Sequence, residues 1–232
     1  MQNVVWKASD KAQTRRLSEF SGLDEECRRI RNVAATVVLH RPARRAAVGN
    51  LEEEPPQFDA EVLRAMARWP DVPECYGWLG LDARGQWRIK GESITHPGAV
   101  DFLGRNYASD DRGNWYVQNG PQKAYVDLAY TPWVYRFEPH AGFKTHNGRE
   151  AGPINALWLD DEGAVLVDAQ PGIGVLHDRD MAALAEYIDD SSVPLQFRWS
   201  RLVLDFRPLV RTEVAGQFGF VPHPAPAAAT PE

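Results

Sequence analysis

Apolar and polar residues alternate most regularly in two stretches, LGLDARGQWRI at 79–89 and LWLDDEGAVLV at 157–167. In each, apolar residues at alternate positions flank a polar tetrad, the pattern of two half-buried strands around a turn. Asp opens each tetrad and Gly closes it (Asp82 and Gly85, Asp160 and Gly163). Asp in the first place bonds back to the backbone and Gly in the fourth relieves the turn, so both stretches predict β-hairpins. Four positions agree at a constant offset of 78: Leu79/Leu157, Leu81/Leu159, Asp82/Asp160 and Gly85/Gly163. The same Asp-x-x-Gly recurs at Asp110 and Gly113, so the turn alone does not establish a duplication.

The order of the downstream elements is more telling. After the first hairpin, THPGAVDFLGRNY predicts a helix, with Pro97 suited to its first turn and Val100, Leu103 and Tyr107 on one face. After the second, LHDRDMAALAEYI predicts another, with Met181, Leu184 and Ile188 at the same spacing and Asp178 as its cap. Strand-like text comes after both: NWYVQ and KAYVDLAY, then PLQFRW and RLVLDF. Hairpin, helix and strands, twice over, predict an α+β fold of two similar units, bounded at 66–156 and 157–221. The period-2 stretch WVYRF, with Trp133, Tyr135 and Phe137 on one face, reads as the strand closing the first unit.

Residues 1–65 read differently. A helical face runs through Leu23, Cys27, Ile30, Ala34 and Val37, then HRPARRAAVGNLEEEPP has the composition of a linker, and a short helix is expected near 59–68. This segment is read as an extension, partly helical or disordered, and 222–232 as a disordered tail.

Charge sharpens that division. Residues 1–50 carry ten Lys and Arg against five Asp and Glu, while the remainder carries sixteen against twenty-seven. An acidic body argues against general nucleic-acid binding, which needs clustered positive charge. The most apolar run, AATVVL, is too short to span a membrane. Cys27 and Cys75 are too few and too far apart for a disulfide framework, and with no apolar leader-like stretch the chain reads as cytoplasmic.

MARWPDVPECYGWLGLDARGQW, GRNYASDDRGNWYVQNGPQKAYVDL and PWVYRF resemble an uncharacterised proteobacterial family known only as a domain of unknown function, over residues 66–221. A more distant set of unknown-function proteins shares the outline, including Pro-x-Lys (Pro121 and Lys123), and resembles a repeated α+β motif for which a signalling role has been suggested. The resemblance implies two units and transfers no catalytic residue. Because it begins at Met66, residues 1–65 also read as an extension upstream of the natural start.

No catalytic set emerges. His140 and His146 lack the helical spacing of a zinc site and nearby ligands, so no metal or other cofactor is expected. Gly172-x-Gly174 lacks the rest of a phosphate-binding fingerprint, and no serine sits in a nucleophile elbow. His96 and His177 precede the two helices at equivalent places, where they read as helix-border residues or, functionally, as a proton-active pair. Gln122, Lys123, His146, Asn147 and Arg149 are polar groups that a ligand site between the units would use. The plainer reading is that Asn119-Gly120 and Asn147-Gly148 are turns, with Lys123 and Arg149 at exposed strand ends. Eight tryptophans exceed ordinary usage; most are expected in the core, with an outward subset able to form a peptide, ligand or dimer surface.

The expectation is therefore a binding or regulatory module for an unknown small molecule or protein, with a homodimeric scaffold and a small-molecule enzyme as alternatives. The enzyme would place its site between the units and use His146, Lys123 or the His96/His177 pair.

Overall fold

The computed structural model describes residues 58–68 and 74–226. The helix expected over 23–37 and the linker after it lie outside the described residues. Helix α1 (Ala60–Arg68) comes first. Next are strands β1 (Cys75–Leu81), β2 (Trp87–Ile89) and β3 (Glu92–Ser93), then helix α2 (Pro97–Arg105) and strands β4 (Tyr107–Ser109), β5 (Trp115–Asn119) and β6 (Gln122–Leu128). A hairpin, β7 (Trp133–Glu138) and β8 (Gly142–Thr145), leads to β9 (Ile154–Asp160), β10 (Val165–Ala169) and β11 (Gly172–Leu176). Then come a 3-10 turn (Asp178–Asp180), helix α3 (Met181–Ala185), β12 (Ile188–Asp189), β13 (Gln196–Trp199), β14 (Leu202–Leu209) and helix α4 (Val214–Phe218).

Two sheets result, and their connections correspond. The first runs β3-β2-β1-β6-β5-β4; the second contains β11-β10-β9-β14-β13-β12, the same order of the corresponding strands. In both, the last strand returns parallel to the first: Leu81 opposes Leu128, and Leu157 opposes Phe206. The β7–β8 hairpin extends the second sheet, with β7 parallel to β11. This differs from the expectation that WVYRF closes the first unit. Alternation announces a strand but not its partner, and the open edge of β11 took this one.

All three Asp-x-x-Gly turns form in one way. Asp82, Asp110 and Asp160 each accept, through Oδ1, the N–H groups two and four residues on, at 2.7–3.0 Å. Gly85, Gly113 and Gly163 close the turns with N–H bonds to the Asp carbonyls and have φ of +76°, +79° and +85°.

The helices match less evenly. Pro97 opens α2 as expected, but Tyr107 belongs to β4. The second helix is shorter than its apolar spacing suggests, and Ile188 lies in β12. Asp178 does not cap it; His177 Nδ1 accepts the Arg179 N–H instead. Asp180 is drawn sideways to Arg136 Nε at 2.6 Å and to the Phe137 N–H at 3.0 Å. A boundary at Met66 would cut through α1. Val62 is buried, Asp59 binds Arg105 and Asn106, and Phe58 lies against Tyr116. Nor is Pro222 part of a free tail: its carbonyl accepts from Leu128 N–H at 2.8 Å, beside a bridge between Val221 and Asn114.

One core joins the sheets. Trp87 and Trp115 of the first pack on Tyr107, and Tyr107 and Trp115 meet Trp133 of β7, with ring centroids 4.7–5.4 Å apart. His146, in the loop after β8, inserts among them at 5.6–6.0 Å from three of these rings. Gly85 makes room, since a Cβ there would collide with that of His146. Asn147 Nδ2 donates to the Gly104 carbonyl at 2.8 Å, fixing the loop to α2. Burial, opposed by the charge of Asp82, lowers the His146 pKa to about 4.

The second tie is Asp160, whose side chain is fully buried. Besides its own turn it accepts from Tyr130 Oη at 2.8 Å and Arg211 Nη1 at 3.1 Å. Burial and the bond to Asp160 push the Tyr130 hydroxyl well above its ordinary range, which keeps it a donor. Arg211 also stacks on the Tyr130 ring at 3.8 Å.

Both ties can be measured through stability. Asp160→Ala leaves the buried end of Arg211 and the turn N–H groups unpartnered and lowers unfolding stability by about 3–5 kcal/mol in urea titration, whereas Tyr130→Phe costs about 1 kcal/mol. Equal small losses would contradict this role for Asp160. His146 is neutral in the fold and takes a proton readily once unfolded, so its contribution is complete above pH 6.5. It is lost as pH falls toward 4, by about 3 kcal/mol in all. Burial lowers His177 too, which adds loss in the same direction, whereas Asp82, Asp110 and Asp180, also lowered, act only below their ordinary range. His146→Leu should flatten the slope between pH 6.5 and 4 to the share of His177; an unchanged slope would refute the assignment.

Candidate functional site

The polar residues singled out by sequence do not converge. Gln122 and Lys123 begin β6, beside the start of β1, because Cys75 opposes Ala124. His146 sits at the other end of β1, against Gly85, roughly 20 Å away at the rise of an extended strand. Lys123 Nζ lies 4.7 Å over the Tyr116 ring. His146 Nε2 is sealed from solvent without a partner among the described residues, although the residue keeps some exposure, and Nδ1 faces the Val134 N–H at 3.4 Å. Asn147 is held through both side-chain ends, and Arg149 is exposed with its backbone N–H on Thr145.

The two helix-border histidines occupy equivalent places but unlike surroundings. His96 is exposed at the start of α2. His177 is buried, with Nδ1 2.9 Å from Asp178 Oδ1, beside the Arg136–Asp180 pair. Arg84 of the first hairpin reaches Asp178, so this polar cluster serves the contact between the units. Among the described residues, no group of three or more His, Cys, Asp or Glu is placed to hold a metal ion. No helix among them is long and apolar enough to cross a membrane.

The concave surface lies elsewhere, on the outer face of the first sheet. In YGWLGLD, Leu79 and Leu81 point into the core, which sends Trp78, Gly80 and Asp82 to the opposite face. Toward β5, that face is covered by α1 and by stacking of Tyr76 on Tyr125 at 4.5 Å. Toward β2 it is open. Trp78 stays 52% exposed in a cleft of about 490 Å³ that includes Gly77, Gly80 and Gly91. Register places Arg88 on one side of Gly80 and Asp127 on the other, roughly 10 Å apart at two strand spacings.

Charge on the rim is balanced. Arg88 forms a two-pronged pair with Asp82 at 2.8 and 3.1 Å. Lys90 Nζ lies 3.6 Å over the Trp78 ring, and Asp127 meets only His223, at 3.6 Å, among the described residues. A second cleft, of about 460 Å³, adjoins the first across Leu128, Ala129 and His223 and is bordered by Tyr130, Glu162 and Arg211. Arg211 Nη2 has no acceptor among the described residues, while Nη1 and Nε hold Asp160 and Glu162. These features offer an aromatic surface with a donor and an acceptor on opposite sides.

Sequence reasoning placed tryptophans in strands and missed the one exposed among the described residues, Trp78. The signal was available: Leu79 and Leu81 claim one face of β1, leaving Trp78 to the other.

No curated protein matches the chain. Among solved structures, it is similar to a DUF1285 family protein from Silicibacter pomeroyi DSS-3, with a TM-score of 0.43 and 16% identity over 58% of this chain and 82% of that one. It is also similar to a DUF1285 family protein from Shewanella baltica OS155, with a TM-score of 0.36 and 17% identity over 47% of this chain and 90% of that one. Residues 58–225 match the family DUF2944, described as "Protein of unknown function (DUF2946)", from just ahead of α1 through the segment that binds Leu128. The chain belongs to this family of unknown function.

Proposed function

We propose that this chain is a non-enzymatic binding module, built from two units of common ancestry, which takes a small ligand in the Trp78 cleft. The observation that carries the reading is the half-exposed indole on a central strand, set among glycines where its neighbour Tyr76 is stacked on Tyr125 and half-buried. Aromatic side chains with a free face contribute stacking and apolar contact to a ligand. The balanced rim of Arg88, Asp82, Lys90 and Asp127 favours an uncharged or zwitterionic molecule with a flat apolar face, since a strongly charged one meets a like charge on one side. The matching strand orders support the common ancestry of the units. A cytoplasmic setting and a regulatory or signalling role belong to the same proposal.

The test is fluorine NMR of protein carrying 5-fluorotryptophan, titrated separately with glucose, adenosine and phenylalanine. The Trp78 resonance, assigned by its loss in Trp78→Phe, should shift saturably with at least one probe. Asp127→Ala should weaken that binding by on the order of tenfold, the worth of one charged hydrogen bond. A Trp78 resonance unmoved by all three, or shifts unchanged in Asp127→Ala, would contradict the assignment.

A further inference from the structure

The chain has two Asn-Gly pairs within its described residues, and the fold treats them oppositely. Asn147 is locked. Its Oδ1 accepts from Thr145 Oγ1 at 2.6 Å, its Nδ2 donates to Gly104 at 2.8 Å, and the Gly148 N–H donates to the Thr145 carbonyl at 2.8 Å. Asn119 stands at the tip of the β5–β6 hairpin, paired with Gln122 across Gly120 and Pro121. It is exposed, and neither its side chain nor the Gly120 N–H has a partner among the described residues.

We propose that Asn119 is a site of spontaneous covalent modification, through a cyclic imide with Gly120. The deprotonated Gly120 nitrogen attacks Asn119 Cγ, forming a C–N bond. The Cγ–Nδ2 bond breaks, and Nδ2 leaves with a proton as ammonia. Water then opens the ring: attack at Cγ restores the chain with aspartate, and attack at the Asn119 main-chain carbonyl yields isoaspartate. The net change is gain of water and loss of ammonia, with no oxidant or cofactor. Glycine favours the attack because no side chain shields its nitrogen.

The same step at Asn147 requires its side chain and the Gly148 nitrogen to be released first. The expected gap between the sites is on the order of a hundredfold, about 3 kcal/mol at tenfold per 1.4 kcal/mol, the worth of three hydrogen bonds. Conversion at Asn119 has a local consequence. It places a carboxylate four residues before Lys123, and the isoaspartyl form adds a backbone methylene at a tip where Gly120 lies against Ala65 of α1.

Trypsin separates the sites, as GNWYVQNGPQK (113–123) and THNGR (145–149). Full-length protein would be incubated in mildly alkaline buffer, digested and read by mass spectrometry, with isoaspartate counted by enzymatic carboxyl methylation. In the folded protein, NH₂-to-OH conversion should accumulate in the first peptide alone; in urea it should accumulate in both. Asn119→Gln should abolish it in the first peptide, and Thr145→Val should raise it in the second. Comparable rates at both sites in the folded protein would overturn the proposal. So would a first peptide that stays unchanged when folded yet converts in urea.

Discussion

A carboxylate removed from water must find donors for its lone pairs, and Asp160 finds them in three separated parts of the chain. Its own turn supplies the N–H groups of Glu162 and Ala164, the segment after β6 supplies Tyr130, and the segment after β14 supplies Arg211. Leaving such a group partly satisfied costs several kcal/mol, so the three segments hold one relative position or none. That requirement places the end of the first unit against the C-terminal end of the parallel β9–β14 pair, where Leu209 opposes Asp160. The shared aromatic core forms alongside it, with Trp133 carried by the segment that begins at Tyr130.

The units are alike in connection and unlike in finish. Asp82 occupies in the first sheet the place of Asp160 in the second, but it is satisfied within its own hairpin by Arg88. That turn therefore needs no donor from outside the hairpin, and beside it lie Trp78 and the glycine-lined cleft. The corresponding ties of the second unit are spent on holding the molecule together.

Much of this was legible in sequence where the chemistry is local. Asp-x-x-Gly fixed three turns because Asp and Gly act within five residues of each other. The repeated order of elements announced two like sheets. Partnering was not legible: β7 joined β11 because an open edge lay there, and nothing in WVYRF names its neighbour. The second helix stops at Ala185 because Ile188 pairs with Phe197 in the β12–β13 ladder, a partner its apolar spacing does not name. Polar loop residues misled for a related reason. His146 looks like a ligand group in sequence, but glycine at 85 lets it enter the aromatic core.

Two sheets that share one core, tied together at Asp160, must unfold as one body. Hydrogen exchange read by mass spectrometry under increasing urea is the sharpest test, comparing amides of β1 and β6 with those of β9 and β14. A shared core predicts that their opening free energies converge on a single global value, and that Asp160→Ala lowers both sets together. Opening of the first sheet at a clearly lower free energy, with the second still protected, would contradict it.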